Sequence, residues 1–302
     1  MTFPTLSDNP LPTFVLYHDD CPDGFGAAWA LHRSLGDRAT YLPIHYGSKL
    51  DLERMAGQHV LMVDVSLPEH ALLQLHDIAG SFCLIDHHKT ASQSLGHLPF
   101  CHFDMDRSGA GIAWDYANPG HHRPPLINLV EARDLYRWST VANSRALGKA
   151  LDVEGYDFQS WDRFNQRMED PVEYGKLVEE GQSMCRLFNF QVEEFCKSAV
   201  EIQQKGRKGF AVGVPHMFAS DVASRLSARA PGAFGFTWCL SKEGDAIRGS
   251  WRSAHTDSPI DDLAGEYGGG GHPMASGAVM NWSQLQALLA SKQTLQQKPR
   301  HR

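Results

Sequence analysis

Three short stretches of this chain bring acids and imidazoles together at spacings that suit metal-ion chemistry. In Leu84-Ile85-Asp86-His87-His88-Lys89, two apolar residues lead into a carboxylate and two imidazoles. Charged groups are rarely buried without a partner, and a bound cation is a natural one. A surface loop would also account for a pair of histidines. In His18-Asp19-Asp20-Cys21-Pro22-Asp23-Gly24, three acids and one imidazole fall within six residues. Such a cluster repels itself unless a cation neutralises it. The alternative is a solvated turn in which Asp23 caps a helix. The third stretch, Val60-Leu61-Met62-Val63-Asp64-Val65-Ser66, delivers a single acid after four apolar residues, where a helix cap or loop residue would also fit.

Two further places carry charge in a suggestive setting. Asp134 lies between Arg133 and Arg137, a pattern that an ordinary salt bridge explains. Tyr267-Gly268-Gly269-Gly270-Gly271-His272 exposes backbone N–H groups that could cradle a phosphate, although no Gly-Lys-Ser/Thr follows as in a P-loop. A flexible linker is the plain alternative for the glycines. Upstream, Arg252-Ser253 offers an anion clamp.

The elements that must position these residues read as alternating strands and helices. Apolar runs at 14–17, 41–46, 60–63 and 82–85 are strand candidates, with helical spacing over 25–35 and from Pro68 to Leu75. Gly24 and Gly26 are expected to let the backbone turn tightly between the first strand and its helix. This alternation implies a parallel sheet with right-handed crossovers, whose carboxyl ends share one edge. His18, Asp20, Asp23, Asp64, Asp86, His87 and His88 can therefore converge. Helices are expected near 104–116, with Ser108 as a cap, and over 126–132. A long helical stretch over 171–204 connects to a second α/β segment, with Gly206 as its C-cap and the Lys205–Gly209 cluster as a solvated turn. Strands at 210–214, 234–240 and 247–252, a turn at Lys242–Asp245 and a helix over 221–228 fill that segment. A close-packed helix is expected to start after the glycines, and both chain ends read as tails. The fold class is α/β, with an N-terminal parallel-sheet domain (1–185) joined by connector helices to a smaller α/β domain (186–302).

Bulk properties narrow the function. The 302 residues are 42% hydrophobic and 21% charged, enough for a sizeable core. A net charge of −7 argues against a protein that wraps long duplex nucleic acid, but allows a small phosphorylated substrate. The six cysteines form no C-x-x-C pair and read as reduced thiols in a cytoplasmic protein. No signal peptide and no membrane partner are expected.

The order His-x-Asp-x-x-Asp-Gly, Val-Asp-Val-Ser, Asp-His-His, Arg-Asp and Gly-Gly-Gly-Gly-His resembles the DHH phosphoesterases with a DHH-associated C-terminal domain, nanoRNase and oligoribonuclease-like members included. The resemblance covers nearly the whole chain. It implies two Mn²⁺ ions, with Mg²⁺ or Co²⁺ as alternatives. By resemblance, His18, Asp20 and Asp64 hold one ion, and Asp23, Asp64, His87 and Asp134 hold the other. Asp86 then steadies His87, and His88 contacts the scissile phosphate. Arg252, Ser253, His272 and the loop residues Gly268, Gly269, Gly270 and Gly271 bind substrate, with Arg252 and His272 also counted as catalytic. The chain departs from many members in its first motif, where Cys21-Pro22 separates Asp20 from Asp23. Cys21 could serve as a soft extra ligand, but a small buried thiol is the plainer reading, since hard ions prefer oxygen and nitrogen.

The expected activity is metal-dependent hydrolysis of short single-stranded oligonucleotides or dinucleotides to nucleoside monophosphates. A cyclic dinucleotide or polyphosphate is the alternative substrate, and a nucleotide-binding module with an inactive site is the non-enzymatic alternative. The oligomeric state is open, a homodimer included.

Overall fold

The structure is a computed structural model that describes residues 4–8, 10–241 and 244–291. The chain divides into two compact units, Met1–Cys185 and Arg186–Arg302. The first contains β1 (Phe14–His18), α1 (Pro22–Leu35), β2 (Thr40–Ile44), α2 (Leu52–Met55), β3 (His59–Val63), α3 (Glu69–Ile78), β4 (Ser81–Asp86), α4 (Lys89–Leu95) and β5 (Cys101–Phe103). Then follow α5 (Gly109–Ala117), α6 (Pro125–Asp134), α7 (Ser144–Leu151), α8 (Phe158–Glu169) and α9 (Pro171–Lys197), with the unit boundary inside α9.

The five strands pair in the order β2-β1-β3-β4-β5, and every pairing is parallel. Strand alternation sends Val15, Leu61, Val63, Cys83 and Ile85 to one face of the sheet. Leu16, Val60, Met62, Phe82 and Leu84 go to the other. Both faces are buried, which is why these strands are unbroken apolar runs rather than alternating ones. The order reverses between β1 and β3, and in open α/β sheets ligands bind outside the carboxyl ends at such a reversal.

Helix α1 is fastened at its first turn by aromatic packing. Phe25 meets Trp161 edge-on with centroids 4.9 Å apart and stacks on Phe158 at 5.3 Å. Gly24 and Gly26 lie inside α1 and not at a turn, contrary to the sequence expectation. Their role is close packing: a Cβ at Gly24 would stand 2.2 Å from the His18 carbonyl oxygen. α5 is capped by Ser108, whose side chain accepts from Gly111 N–H, as its sequence implied.

The second unit contains β6 (Val200–Gln204), β7 (Arg207–Gly213), α10 (Ala219–Ser227), β8 (Phe234–Leu240), β9 (Ile247–Ser253), α11 (Asp261–Gly265), β10 (Gly270–His272), β11 (Ala275–Met280) and α12 (Trp282–Ala290). Its mixed sheet has the order β10-β11-β9-β8-β7-β6. Two expectations fail here. The long helix stops at Lys197, and residues 200–204 form a strand paired antiparallel to β7. Lys205 and Gly206, at φ +48° and +74°, make the tight hairpin turn between them, so Gly206 caps no helix. The glycine run leads into the β10–β11 hairpin and not into a helix. The expected Lys242–Asp245 turn and C-terminal tail include residues 242, 243 and 292–302, which lie outside the described residues. Among the described residues no helix is long and apolar enough to cross a membrane.

Trp161 is 1% exposed and holds the α1 turn in place. Trp161→Ala should cost about 3–5 kcal/mol in urea unfolding, the usual range for a buried aromatic truncated to alanine. A loss below about 1 kcal/mol would remove Trp161 from that role.

Candidate metal centre

Three adjacent parallel strands deliver their last residues to one edge, as the alternation implied. His18 ends β1, Asp64 follows β3, and Asp86 ends β4 with His87 and His88 immediately after. Asp64 adopts φ +61°, the left-handed region that few residues other than Gly, Asn and Asp enter. Its carboxylate is 1% exposed, and neither oxygen receives a hydrogen bond. An imidazole faces each oxygen: His18 Nδ1 lies 3.7 Å from Oδ2, and His87 Nε2 lies 3.1 Å from Oδ1.

Asp23 is placed from the other side, by the first turn of α1. It is 2% exposed and accepts from the backbone N–H groups of Gly109 (2.6 Å) and Ala110 (2.9 Å), the start of α5. A carboxylate suits a helix N-terminus, where unpaired N–H groups and the helix dipole favour negative charge. It does not cap its own helix. Asp134 closes the ring from the C-terminal end of α6. His87 Nε2 stands 3.5 Å from Asp23 Oδ2 and 3.6 Å from Asp134 Oδ2. The salt bridge that the flanking arginines suggested is not what Asp134 makes. Arg133 pairs with Asp152, and Arg137 donates to the Asp106 carbonyl.

Asp86 is fully buried and does not reach the His87 ring. Its Oδ1 accepts from the His87 backbone N–H at 2.7 Å and meets His88 Nδ1 at 2.7 Å, while Ser66 Oγ donates to Oδ2 at 2.6 Å. It thus orients the His88 ring and steadies His87 only through the backbone. Ser66, the last residue of the Val-Asp-Val-Ser motif, is the brace that the sequence reading left without a role.

The set expected around His18 changes in one member. Asp20 sits at φ +54° with its residue exposed, and lies outside the clusters able to surround a cation. Cys21 takes that position: the ligand atoms of His18, Cys21 and Asp64 all lie within 4.8 Å of one another. Asp23, His87 and Asp134 form a second set within the same limit, as do Asp64, Asp86, His87 and His88. Asp19 turns away to His45, 3.1 Å from its Nε2.

Gly109 was missed entirely. A Cβ there would stand 2.5–2.6 Å from the Asp64 side chain, so only glycine leaves the carboxylate its place. No local signal marks such a residue, because the contact joins the start of α5 to the end of β3.

The electrostatics of the cluster follow from burial and proximity. Burial, then the charges of Asp64 and Asp134, push the Asp23 carboxyl well above the usual range. Burial also acts to raise Asp64, but the imidazoles of His18 and His87 overcome it and hold that carboxyl at about 2. Burial opposes a charge on His87, yet Asp64, Asp23 and Asp134 together raise its imidazole to about 9. Burial pushes the Cys21 thiol up to about 12. His18 is raised by Asp64, and His88 by Asp86. This is a dense anionic cup with imidazoles as provisional counter-ions, and its free oxygens match what a hard divalent cation binds.

Beside it lies a cleft of about 310 Å³, bounded by His18, Asp64, Asp86 and His88 on one side and by Tyr46, Leu67, Pro68, Thr90 and Ser94 on the other. Tyr46 is 77% exposed.

The expected substrate residues lie in the second unit. Cross-strand register aligns His272, Ala275 and Arg252 on neighbouring strands, which puts all three on one face of the sheet. Arg252 Nη2 donates to Ser220 Oγ at 2.6 Å, on the first turn of α10, and His272 is exposed. Ser253 is misassigned by the sequence reading. One residue further along β9, it faces the core, is 8% exposed, and exchanges hydrogen bonds with the backbone of His255. The glycines also have structural work. Gly271 has φ +143°, and a Cβ at Gly269 would stand 2.2 Å from the Gly277 carbonyl oxygen.

Two outcomes test this geometry. Gly109→Ala should weaken binding of Mn²⁺ in calorimetry by about tenfold or more without unfolding the chain. Unchanged affinity would mean that the Asp64 carboxylate does not need its position. The second concerns pH. The folded pKa of His87, about 9, lies above its ordinary 6.5, so its stabilisation is complete below the unfolded value and is lost as pH rises through about 9. Without divalent cations, the thermal midpoint should fall between roughly pH 7 and pH 10, and saturating Mn²⁺ should flatten the profile. A flat profile in chelator would contradict the role of His87 as counter-ion.

No family model matches the chain. Over 290 residues it is 27% identical to the "uncharacterized protein R106" of Acanthamoeba polyphaga mimivirus, covering 88% of this chain and 67% of that protein. Among solved structures, a DHH domain described as a member of the s1p family of ribosomal proteins superposes with a TM-score of 0.64 at 12% identity, over 94% of this chain and 87% of that one. RecJ of Thermus thermophilus in complex with Mn²⁺ gives a TM-score of 0.49 at 17% identity, over 91% of this chain and 50% of RecJ, too distant a likeness to bear on function. On its parallel sheet, its second mixed sheet and the DHH-domain superposition, the chain has the fold of the DHH-domain proteins.

Proposed function

We propose that this protein is a metal-dependent phosphodiesterase that hydrolyses short oligonucleotides to nucleoside monophosphates. The observation that carries the reading is Asp64, a buried carboxylate that takes no hydrogen bond and lies between two imidazoles. Burying an ion without hydrogen bonds is costly, and a bridging position between two cations would relieve it. His18 and Asp64 would hold one ion. Asp64, Asp23, His87 and Asp134 would hold the other. Two divalent cations held there, Mn²⁺ first and Mg²⁺ or Co²⁺ as alternatives, would supply an acidified water and polarise the phosphate.

The chain's own groups do the rest. Asp86 occupies His88 Nδ1, so the opposite ring nitrogen is the one left to contact a phosphate oxygen. His88 keeps its proton more tightly than an ordinary histidine because Asp86 faces it, which favours hydrogen-bond donation to developing negative charge. Arg252 and His272 are assigned to substrate phosphate on the second unit.

The preference for nucleotides over polyphosphate rests on Tyr46. An exposed aromatic ring on the wall of a cleft beside His88 offers a stacking surface, worth about 1–3 kcal/mol per base. Polyphosphate has nothing to stack.

Product analysis decides among the substrates. Labelled RNA and DNA oligomers should release mononucleotides in the presence of Mn²⁺, fastest from the shortest chains. Release from a cyclic dinucleotide or polyphosphate alone would keep the metal chemistry and overturn the substrate. Metal binding with no hydrolysis of any of them would favour a nucleotide-binding module. His87→Ala should abolish turnover while the fold persists. Tyr46→Ala should raise KM for a dinucleotide by roughly 5- to 150-fold and leave any polyphosphate hydrolysis unchanged. Equal effects on both would discard the stacking role.

A further inference from the structure

The six cysteines do not share one environment. Cys83, Cys101 and Cys196 are buried members of the hydrophobic clusters, as small apolar residues commonly are. Cys21 belongs to none of these clusters. It is the N-cap residue of α1, a position that favours Ser, Thr, Asp or Asn because their oxygens accept from the helix N–H groups. Its side chain makes no capping hydrogen bond. The backbone N–H groups of Asp23 and Gly24 face the sulfur, but a thiol is a weaker acceptor than the oxygens this position favours, and core packing does not explain it.

Its surroundings do. The sulfur lies within 4.8 Å of a nitrogen of His18 and an oxygen of Asp64, and His18 Nδ1 stands 3.7 Å from Asp64 Oδ2. Ligand atoms about 2.0–2.3 Å from a tetrahedral ion stand roughly 3.3–3.8 Å from one another, so small side-chain movements would close the set. Asp64 supplies an independent sign of a ligand, since it is 1% exposed, takes no hydrogen bond at either oxygen and is faced by two imidazoles that a cation would replace as counter-charge. Asp20, the oxygen donor expected at this place, is exposed and stands outside the cluster.

We propose that Cys21 Sγ is a metal ligand, completing with His18 and Asp64 a Cys-His-Asp set on the β1 side of the centre that selects Zn²⁺ or Co²⁺ over Mg²⁺. Thiolate is a soft donor, and Mg²⁺ keeps to oxygen. The neighbouring set of Asp23, His87 and Asp134 has no sulfur and suits Mn²⁺ or Mg²⁺. The two positions of the centre therefore differ in kind. On binding, the thiol proton passes to solvent and the sulfur becomes a charged ligand. The inference rests on the metal-centre reading above and adds the identity of one ligand to it.

Titration of the 302-residue protein with Co²⁺ separates the two. Bound Co²⁺ should show d–d bands in the visible and a thiolate-to-cobalt charge-transfer band in the near ultraviolet. Cys21→Ser should lose the charge-transfer band, still bind Co²⁺, and bind it at least about tenfold more weakly. Cys185→Ser and Cys239→Ser, which alter the other two cysteines that are not fully buried, should keep the band. Co²⁺ bound without a charge-transfer band, or a band that persists in Cys21→Ser, overturns the cysteine ligand and leaves the metal centre standing. No Co²⁺ bound by the unaltered protein overturns both. Should Cys21→Ser misfold, the spectrum of the unaltered protein still decides whether a thiolate is bound, and Cys21→Ala serves as the second variant.

Discussion

The structure depends on one buried charge. Asp64 sits at the end of a central strand in a left-handed conformation, 1% exposed, with no hydrogen bond to either carboxylate oxygen. A buried ion so placed is tolerated only if its surroundings compensate it. His18 and His87 do so from two sides, from strands on either flank of β3. The absence of a side chain at Gly109 leaves the room. Nearly every other feature of the N-terminal unit positions one of these groups.

That positioning is built in layers. Phe25 packs against Trp161 and Phe158, which fixes the first turn of α1 and so the Asp23 carboxylate. Asp23 in turn is tied to the N-terminus of α5 by two backbone hydrogen bonds. Arg123 pairs with Asp115 on α5 and Glu131 on α6, and Glu131 also accepts from the Ser108 backbone. This bracing sets α6, and with it Asp134 at its end. Ser66 and Asp86 hold His88 in the same way. Functional groups held on packed elements by a second ring of hydrogen bonds keep their geometry when ligands come and go.

The two units differ in how they treat their polar residues. In the first, acids are buried together at a strand edge, a costly arrangement that makes sense around cations. In the second, Arg252 and His272 project from one face of a sheet across the small Ala275. There Arg252 is engaged by Ser220 and by the Trp251 carbonyl, while His272 is exposed.

How much was legible in the sequence depended on the range of the interaction. Strands β1, β3 and β4 announced themselves as apolar runs ending in acids or imidazoles, because a parallel sheet buries both faces of such strands and shares one carboxyl edge. From that, His18, Asp20, Asp23, Asp64, Asp86, His87 and His88 could be expected to converge, whereas Asp134 was reached only through the family resemblance. The hairpins at Lys205–Gly206 and after the glycine run were misread, since helix and strand share short apolar runs and glycine ends either one. Only the tertiary structure decided the rest. It placed Cys21 rather than Asp20 beside His18, because a positive φ at Asp20 accompanies an exposed side chain. It showed that Gly109 leaves room for the Asp64 side chain, through a contact 45 residues away in sequence. It turned Ser253 into the core, because a one-residue step along a strand reverses the face. The sequence alone determined which chemical groups arrive at the edge of the sheet. Which of them meet depended on backbone conformation and on packing between residues far apart in sequence, which no local pattern encodes.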